Sequence, residues 1–369
     1  MPSFFDLTLE QVAQAMEAWG EPRYRARQIW QAVYRDLAAS PEFVTTLPKP
    51  LRQKLAEAFS FGSLTPATTL TSADRQTRKT LFRLADGSAI EAVLMHYGDS
   101  DPAEAAAPSV RERRTVCIST QAGCALGCVF CATGQMGFMR NLTAGEIVEQ
   151  VLYHARKLKA QPGEASADEA RPLTNIVIMG MGEPFLNYEN TLAAVDILNS
   201  PEGFNFGERR ITVSTVGIVP GIERFTEEKR QVNLAISLHA ATDKLRSQLM
   251  PINRKYPLSA LIPAVRHYVE TTRRRVTFEW ALIQGINDMP EQAEKLGDIA
   301  AGLSLAHVNL IPLNPSRGYA GAAATRERVA AFRAVLDARG VPCTIRARRG
   351  VEISAGCGQL AGVVGNLAG

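Results

Sequence analysis

Three cysteines stand close together in the sequence at a spacing that suits a metal centre. Cys124, Cys128 and Cys131 form a C-x3-C-x2-C pattern that follows a strand-like run and precedes a helical pattern opening at Thr143. This position places them on a loop, which can wrap three thiolates around one centre. Cysteines three or four residues apart on a helix would share a face and could not surround an ion.

The number of ligands separates two kinds of centre. Three thiolates without an obvious fourth favour a cubane iron-sulfur cluster, whose remaining iron is open to bind a small molecule. A structural zinc site uses four ligands, usually two cysteine pairs, and a second pair is missing here. Zinc stays an alternative because Cys117 is available as a fourth ligand.

The composition indicates a globular protein with a small excess of positive charge. The 369 residues are 46% hydrophobic and 21% charged, with a formal net charge of +4. This charge is compatible with a phosphate-bearing partner. The N-terminus lacks a basic leader region and no long apolar run is present, so we expect a cytoplasmic protein without a membrane anchor. In a reducing compartment, the six cysteines are expected to bind metal or react rather than form structural bridges.

Helical patterns dominate residues 8 to 58. Between Tyr24 and Tyr34, apolar residues recur at helical spacing, which places Trp30 in the core and leaves an arginine face outside. That face is a candidate RNA contact. It contains Arg23, Arg27 and Arg35.

A β-hairpin is predicted next along the chain. Two alternating runs between Thr80 and Tyr97 flank Asp86-Gly87, a strong two-residue turn signal. Glu91 lies on the second strand, where the residues alone predict an exposed carboxylate. Residues 98 to 112, rich in Asp, Ala, Pro and Ser, indicate a linker.

Beyond the linker, short apolar runs alternate with helical patterns, which is typical of a parallel sheet. The predicted strands are Thr115 to Thr120, Asn175 to Gly180, Ile211 to Thr215, Val232 to Leu238, Val276 to Ile283, His307 to Pro312 and Cys343 to Arg346. The predicted helices are Thr143 to Leu158, Asn190 to Leu198, Leu258 to Glu270, Pro290 to Leu303 and Arg326 to Arg339. Residues 159 to 172 indicate an exposed loop. Periodicity does not decide whether the sheet is open or curls into a barrel.

Polar and glycine-rich groups follow the ends of these strands. Ligands of parallel α/β folds bind at the carboxyl ends of the strands, so these groups should meet at one edge of the sheet. They are the cysteine loop, Gly180 to Pro184, Ser214 to Gly217, Ser237 to His239 and Asn314-Pro315. Glycines at 180 and 182 would let the backbone approach a cofactor closely, and Glu183 could accept hydrogen bonds from its ammonium group.

The cysteine loop, with the aromatic Phe130 before its last cysteine, resembles the cluster-binding loop of the radical S-adenosylmethionine (SAM) superfamily. Further segments are similar to the RlmN and Cfr family of radical SAM methyltransferases of RNA adenosine. They are Gly123 to Phe138, Met179 to Asn187, Ser237 to His239, Met250 to Asn253 and Ala355 to Gly362. The sequence from Gly182 to Asn187 is more like the RlmN branch, which methylates adenine C2, than the Cfr branch, which methylates C8.

The resemblance implies an α/β fold, namely a partial (β/α)6 radical SAM barrel behind a small N-terminal helical domain. We expect residues 1–75 to form that domain and bind RNA, residues 76–112 to form a hairpin and linker, and residues 113–369 to form the barrel with a C-terminal cysteine segment. The implied cofactors are SAM and a [4Fe-4S] cluster. The implied cluster ligands are Cys124, Cys128 and Cys131, and the implied SAM contacts are Gly182, Glu183, Ser214, Ser237, Leu238, His239 and Asn314.

The resemblance also implies roles for two further cysteines and a carboxylate. Cys357 matches the cysteine that becomes methylated, Cys117 the one that resolves the intermediate through a transient disulfide, and Glu91 a proposed proton acceptor. Adenine C2 is electrophilic, so a methyl cation cannot attack it, whereas a carbon radical carried on Cys357 can add there. Whether Glu91 or Cys117 removes the C2 proton stays open. Cys343 has no implied role, and a small buried hydrophobe is expected there.

The implied partners are 23S rRNA, at its peptidyl transferase centre, and tRNA, at the adenosine beside the anticodon. A reducing donor such as flavodoxin is also implied, and we expect a monomer. Two other functions stay open: a radical SAM enzyme acting on a peptide or metabolite, and an iron-sulfur RNA-binding module without catalysis. Neither requires two exchangeable thiols besides three ligands, so the presence of Cys117 and Cys357 favours the methyltransferase.

Overall fold

The computed structural model describes residues 1–98, 113–160 and 172–362. The predicted linker at 98 to 112 and the predicted loop at 159 to 172 therefore lie almost entirely outside the described residues. Within the described ranges, no helix combines the length and the apolar character needed to cross a membrane.

The N-terminal region is helical, as predicted. It contains α1 (Leu9–Ala18), α2 (Tyr24–Trp30), which continues into a π-helical turn (Gln31–Arg35), and α3 (Lys49–Ala58). Trp30 is 1% exposed and its indole nitrogen donates to Ser200 Oγ at 3.3 Å, which confirms its place in the core. The arginine face is exposed, also as predicted. The helical region therefore packs against the rest of the protein through aromatic side chains and presents cations to solvent.

Twelve strands lie in the described residues, ten of them in one sheet. In chain order they are β1 (Thr65–Thr71), β2 (Thr77–Arg83), β3 (Ala89–Tyr97), β4 (Arg113–Cys117), β5 (Gln121–Gly123), β6 (Phe138–Asn141), β7 (Asn175–Ile178), β8 (Ile211–Thr215), β9 (Asn233–Ser237), β10 (Val276–Leu282), β11 (Ala306–Pro312) and β12 (Cys343–Ile345). Strands β1 to β4 pair antiparallel, whereas β4, β7, β8, β9, β10, β11 and β12 pair parallel in that order. The β5–β6 hairpin forms a separate small sheet.

Helices connect the parallel strands and complete the predicted partial (β/α)6 barrel. They are α4 (Ala132–Gln135), α5 (Ala144–Lys159), α6 (Tyr188–Asn199), α7 (Val219–Glu227), α8 (Asp243–Leu249), α9 (Leu258–Thr272), α10 (Pro290–Ala301) and α11 (Arg326–Ala338). Six strand-helix units run from β4 to α11, and β12 follows them. The carboxyl ends of seven parallel strands thus share one edge of the sheet.

Six of these elements were not predicted, namely β1, α4, β5, β6, α7 and α8, and for two of them the reason is identifiable. Strand β1 is rich in threonine and mostly exposed, so it carries no alternating apolar pattern. Helix α7 opens with Val219-Pro-Gly, whose proline is tolerated in a first turn although the letters resemble a turn. The predicted hairpin is confirmed as β2 and β3, and it belongs to the same sheet as the barrel strands. The domain boundaries at 75 and 112 stay predictions.

Candidate active site

Backbone hydrogen bonds hold the cysteine loop in place from both sides. The amide of Cys124 donates to Gly137 O at 2.9 Å, and the amide of Val129 donates to Leu249 O at 3.0 Å. Gly123 adopts a φ of +74°, and a Cβ there would lie 2.0 Å from Gly137 O. A side chain at Gly123 would therefore push the β5–β6 hairpin away from the loop.

The three thiols of the loop face one another in a partly buried environment. Burial raises the pKa of Cys124 to about 11, and burial together with the charges of Cys131 and Cys124 raises the pKa of Cys128 further. Thiolates grouped in this way need a cationic centre to stabilise them. Among the described residues, no three ligating side chains come close enough to hold one single ion.

A cavity of about 230 Å³ opens where the carboxyl ends of the parallel strands meet. Predicted site residues from several strands lie in its wall: Cys117, Cys128, Cys131, Gly182, Glu183, Ser214, Ser237, His239, Asn314 and Cys357. Three predicted residues lie outside this wall within the described structure. Cys124 packs against the apolar cluster around the loop, Leu238 is fully buried, and Glu91 is buried on β3.

Glu183 is a buried carboxylate whose hydrogen-bond donors are neutral. It is 2% exposed, and its two oxygens accept from the amides of Phe185 at 3.0 Å and Val216 at 2.9 Å. Burial raises its pKa to about 7, while these hydrogen bonds oppose the shift. Each carboxylate oxygen has a further lone pair, so Glu183 is suited to accept from a bound ammonium group.

His239 is held as a neutral imidazole. Its Nδ1 accepts from the amide of Ala281 at 2.9 Å, which assigns the proton to Nε2. Burial, and secondarily the charge of Arg246, lowers its pKa to about 3. The ring meets Phe130 of the cysteine loop edge to face at 5.0 Å. Beside it, Ser214 Oγ and Ser237 Oγ lie 3.3 Å apart. This side of the cavity therefore offers uncharged polar groups next to the loop.

Asn314 joins the cavity to the C-terminal segment. Its Nδ2 donates to Cys357 O at 3.2 Å, whereas its buried Oδ1 has no hydrogen-bond partner among the described residues. An orphaned buried acceptor requires a donor from a ligand or water. This atom and the Glu183 carboxylate give the cavity the acceptors that the amino groups of SAM need, so the residues present fit that cofactor.

Glu91 is not the exposed carboxylate that its residue pattern predicted. It is 1% exposed, since β3 is covered on both faces, and its Oε1 pairs with Lys79 Nζ at 2.8 Å. Its Oε2 accepts from the amides of Ala361 at 2.8 Å and Gly362 at 3.2 Å. Glu91 therefore anchors the segment that carries Cys357.

Cys117 and Cys357 lie in the wall of the same cavity. Cys117 ends β4, and burial raises its pKa to about 12, with the charge of Cys357 adding to the shift. Cys357 is exposed toward the cavity, and the surrounding protein raises its pKa as well. Arg346 acts on both thiols in the opposite direction, lowering both pKa values. Neither cysteine forms a disulfide in this structure.

Several residues of the site have no sequence signal strong enough to single them out. Arg346 follows β12 and pairs with the buried Glu279 of β10 at 3.6 Å. Thr133 Oγ1 donates to Leu360 O at 2.6 Å and so holds the C-terminal segment beside the loop. Arg246 is fully buried in α8. The sequence offers two hints: a charged residue within an apolar run, as Glu279 in Val276–Leu282, and the local basic cluster that contains Arg346. Cys343 is half-buried against the core, close to its predicted role.

Known proteins share both parts of this architecture. Residues 118–296 match the Radical SAM superfamily, and residues 3–60 match the ribosomal RNA large subunit methyltransferase N-terminal domain. A probable dual-specificity RNA methyltransferase RlmN of Roseiflexus sp. (strain RS-1) is 46% identical over 99% of this chain and 97% of its own length. Another from Chloroflexus aurantiacus is 48% identical over 97% of this chain and 92% of its own. The crystal structure of a radical SAM methyltransferase from Sphaerobacter thermophilus, 51% identical, covers 98% of this chain and 100% of its own with a TM-score of 0.89.

The barrel and its cysteine loop define a radical SAM enzyme, whose cofactors are a [4Fe-4S] cluster and SAM. The match of the N-terminal region and the similarity over almost the whole chain identify one family within this superfamily. The chain belongs to the RlmN family of radical SAM RNA methyltransferases.

Replacement of Cys128 by Ala should abolish iron binding. The wild-type protein, reconstituted anaerobically with iron and sulfide, should hold about four irons and show the broad visible absorption of sulfur-to-iron charge transfer. Iron analysis and absorption spectra measure both properties. Cys343→Ala is the matched control, since Cys343 lies on β12 away from the loop, and it should keep the cluster. Tight zinc binding without iron uptake by the wild type would contradict the assignment.

Replacement of Arg346 by Gln should slow alkylation of Cys357 by iodoacetamide. Removing the cation raises the pKa of Cys357, so a smaller fraction of the thiol is ionised at a given pH. A rise of one pKa unit lowers the thiolate fraction about tenfold. Mass spectrometry of peptides gives the rate for each cysteine, and Arg346→Lys should stay close to wild type. Arg333→Gln is the control, because Arg333 acts on Cys343 instead. Equal slowing at Cys343 and Cys357 in Arg346→Gln would show a general structural change and refute the specific effect.

Proposed function

We propose that this protein methylates C2 of a specific adenosine in 23S rRNA, at the peptidyl transferase centre, and of the adenosine beside the anticodon in tRNA. The reaction runs through a methylated Cys357 and a transient disulfide with Cys117. The observation that carries the proposal is that both thiols face the cavity that the cysteine loop also lines. The relatives named dual-specificity RNA methyltransferase RlmN support the choice of substrates.

The cofactors are assigned to the groups that fit them. Cys124, Cys128 and Cys131 hold the cluster, because they lie on one loop and burial raises the pKa of Cys124 and Cys128, so that binding to iron is what stabilises them as thiolates. Glu183 accepts from the ammonium group of SAM, and Asn314 Oδ1, which has no partner among the described residues, provides a second acceptor. The remaining contacts assigned to SAM are Gly182, Ser214, Ser237, Leu238 and His239. Leu238 is fully buried, its amide donates to Glu279 O at 3.1 Å and its carbonyl accepts from Arg246, so it positions the neighbouring Ser237 and His239.

The chemistry at Cys357 begins with a nucleophilic thiolate. Arg346 favours that thiolate, which takes the methyl group of SAM by displacement. When bound, the cluster and SAM supply the one-electron step that turns this methyl group into a carbon radical able to add to adenine C2. The base is then linked to Cys357 through carbon. The adduct has to give up one electron, which a bound cluster would accept, and the C2 proton. Attack of the Cys117 thiolate on Cys357 Sγ then breaks the sulfur-carbon bond and forms the disulfide, and the released carbon takes up a proton to become the methyl group of the base.

Glu91 acts first as a positioning residue for the C-terminal segment. Both of its oxygens are engaged, one by Lys79 and the other by the amides of Ala361 and Gly362. To accept the C2 proton, Glu91 would have to release those amides. Cys117 lies in the cavity wall without such an exchange, so we assign proton removal to its thiolate before Glu91. Because burial raises the pKa of Cys117, that thiolate has to form first, and the thiol has to release the proton again before it attacks Cys357.

We propose that the protein acts in the cytoplasm as a monomer and takes electrons from a small reducing protein such as flavodoxin. We propose no membrane partner. The adenine must enter a cavity of about 230 Å³, so the substrate is RNA in which the target base can leave its stack.

The activity is tested directly on RNA. Reconstituted enzyme with a reductant and two equivalents of SAM per turnover should convert adenosine in protein-free large-subunit rRNA, and in tRNA, to 2-methyladenosine. Mass spectrometry of nuclease digests identifies the isomer. Formation of 8-methyladenosine would place the enzyme in the Cfr branch, and cleavage of SAM without any RNA product would point to another substrate.

Replacement of Cys117 by Ala should trap RNA on the protein. Addition of the carbon to C2 needs methylated Cys357, whereas release needs a thiolate in position to attack sulfur. A denaturing gel should show a crosslinked band that nuclease collapses, and peptide mapping should place the adduct on Cys357. The double variant with Cys357→Ala should show no band, because the carbon acceptor is gone. Normal turnover by Cys117→Ala, or a crosslink at another residue, would contradict these roles.

A further inference from the structure

The ring of Tyr97, at the border of the cavity, lies against two guanidinium groups. The guanidinium carbon of Arg113 lies 4.2 Å from the ring centroid of Tyr97, and that of Arg349 lies 4.4 Å from it. Tyr97 and Arg113 face each other as a cross-strand pair of β3 and β4, so the register of the sheet sets their contact. Arg349 Nη1 also donates to His96 O at 3.1 Å. Both guanidinium groups are thus held in defined positions.

These residues lie beside the proposed methyl carrier. Tyr97, Arg348 and Arg349 belong to the cavity wall, as does Cys357. A turn in which the amide of Ala355 donates to Gly350 O at 2.8 Å returns the chain toward the arginines just before Cys357. We call Tyr97, Arg113, Arg348 and Arg349 the arginine rim.

Two guanidinium groups of the arginine rim, those of Arg113 and Arg348, are open to solvent. Among the described residues of the cavity wall, the carboxylates are Glu183 and Glu279, and the latter is matched by Arg346 at 3.6 Å. Glu183 accepts from backbone amides. Arg349 interacts with Asp74, which also accepts from Ser72 Oγ and from the amide of Gln76. Arg113 and Arg348 are exposed, so their charges are available to a ligand in solvent.

We propose that the arginine rim binds the backbone phosphates of the RNA on either side of the adenosine whose base enters the cavity. This inference rests on the proposed function. A base that reaches Cys357 has to leave its stack, which brings its flanking phosphates to the border of the cavity. Guanidinium groups bind phosphate oxygens in pairs, and a ring that already orients two of them reduces the entropy lost on binding.

The ring and the cations have separable effects on RNA binding. Loss of a phosphate contact lowers the slope of log Kd against log salt by about 0.7 for single-stranded RNA. Arg348→Gln and Arg349→Gln should therefore weaken binding several-fold and reduce this slope. Tyr97→Leu keeps every charge but frees the guanidinium groups, so it should weaken binding at an unchanged slope. Tyr97→Phe keeps the ring and should bind like wild type.

Fluorescence anisotropy with a labelled RNA hairpin, carrying an unpaired adenosine in its loop, measures Kd between about 50 and 200 mM salt. Arg333→Gln, which removes an exposed cation of α11, is the matched control and should leave both Kd and slope unchanged. Thermal unfolding checks that each variant is folded. Because Arg348 is exposed, Arg348→Gln should fold even if Arg349→Gln does not.

The outcomes separate this inference from the function on which it rests. Unchanged slopes in both folded arginine variants would overturn the arginine rim, even if the enzyme forms 2-methyladenosine. Weaker binding by Tyr97→Leu with wild-type slopes in the arginine variants would show that the ring contacts RNA itself, and would equally overturn it. Reduced slopes with no methylated RNA from the wild type would support the arginine rim and refute the proposed reaction.

Discussion

The fully buried guanidinium of Arg246 forms hydrogen bonds to several elements beneath the cysteine loop. It donates to Leu238 O at 3.1 Å, to Asn253 Oδ1 at 2.9 Å and to Val216 O. A buried charge is costly unless its donors are satisfied, so this arrangement holds the ends of β8 and β9 and the following α8 segment in one geometry. The amide of Val129 then bonds to Leu249 O at the end of α8, which transmits that geometry to the loop.

The same edge of the sheet is completed from the far end of the chain. The segment around Cys357 lies against the cavity because Glu91, Thr133 and Asn314 bind its backbone. These anchors come from β3, the cysteine loop region and the end of β11. Because three separate elements hold this segment, Cys357 lies at the edge of the sheet where Cys117 ends β4. The two thiols therefore line the same cavity as the cysteine loop.

The electrostatics of the two thiols suit a disulfide that forms only at one stage. Cys117, with a pKa of about 12, is protonated near neutral pH, and a protonated thiol does not attack sulfur. Arg346 opposes this effect at both cysteines while it also pairs with Glu279. In the proposed reaction, the balance between burial and one cation therefore sets when Cys117 becomes a nucleophile.

The sequence by itself determined the class of the protein and most of its elements. The spacing of Cys124, Cys128 and Cys131 and the alternation of apolar runs are local properties, so they predict a loop site and a parallel sheet without coordinates. The tertiary structure decided what depends on contacts between distant segments. Glu91 was predicted to be exposed and is buried, because the C-terminal amides that cover it come from the other end of the chain. Arg346 and the arginine rim likewise gain their roles from the return of residues 346–350 to β3, which no local pattern encodes.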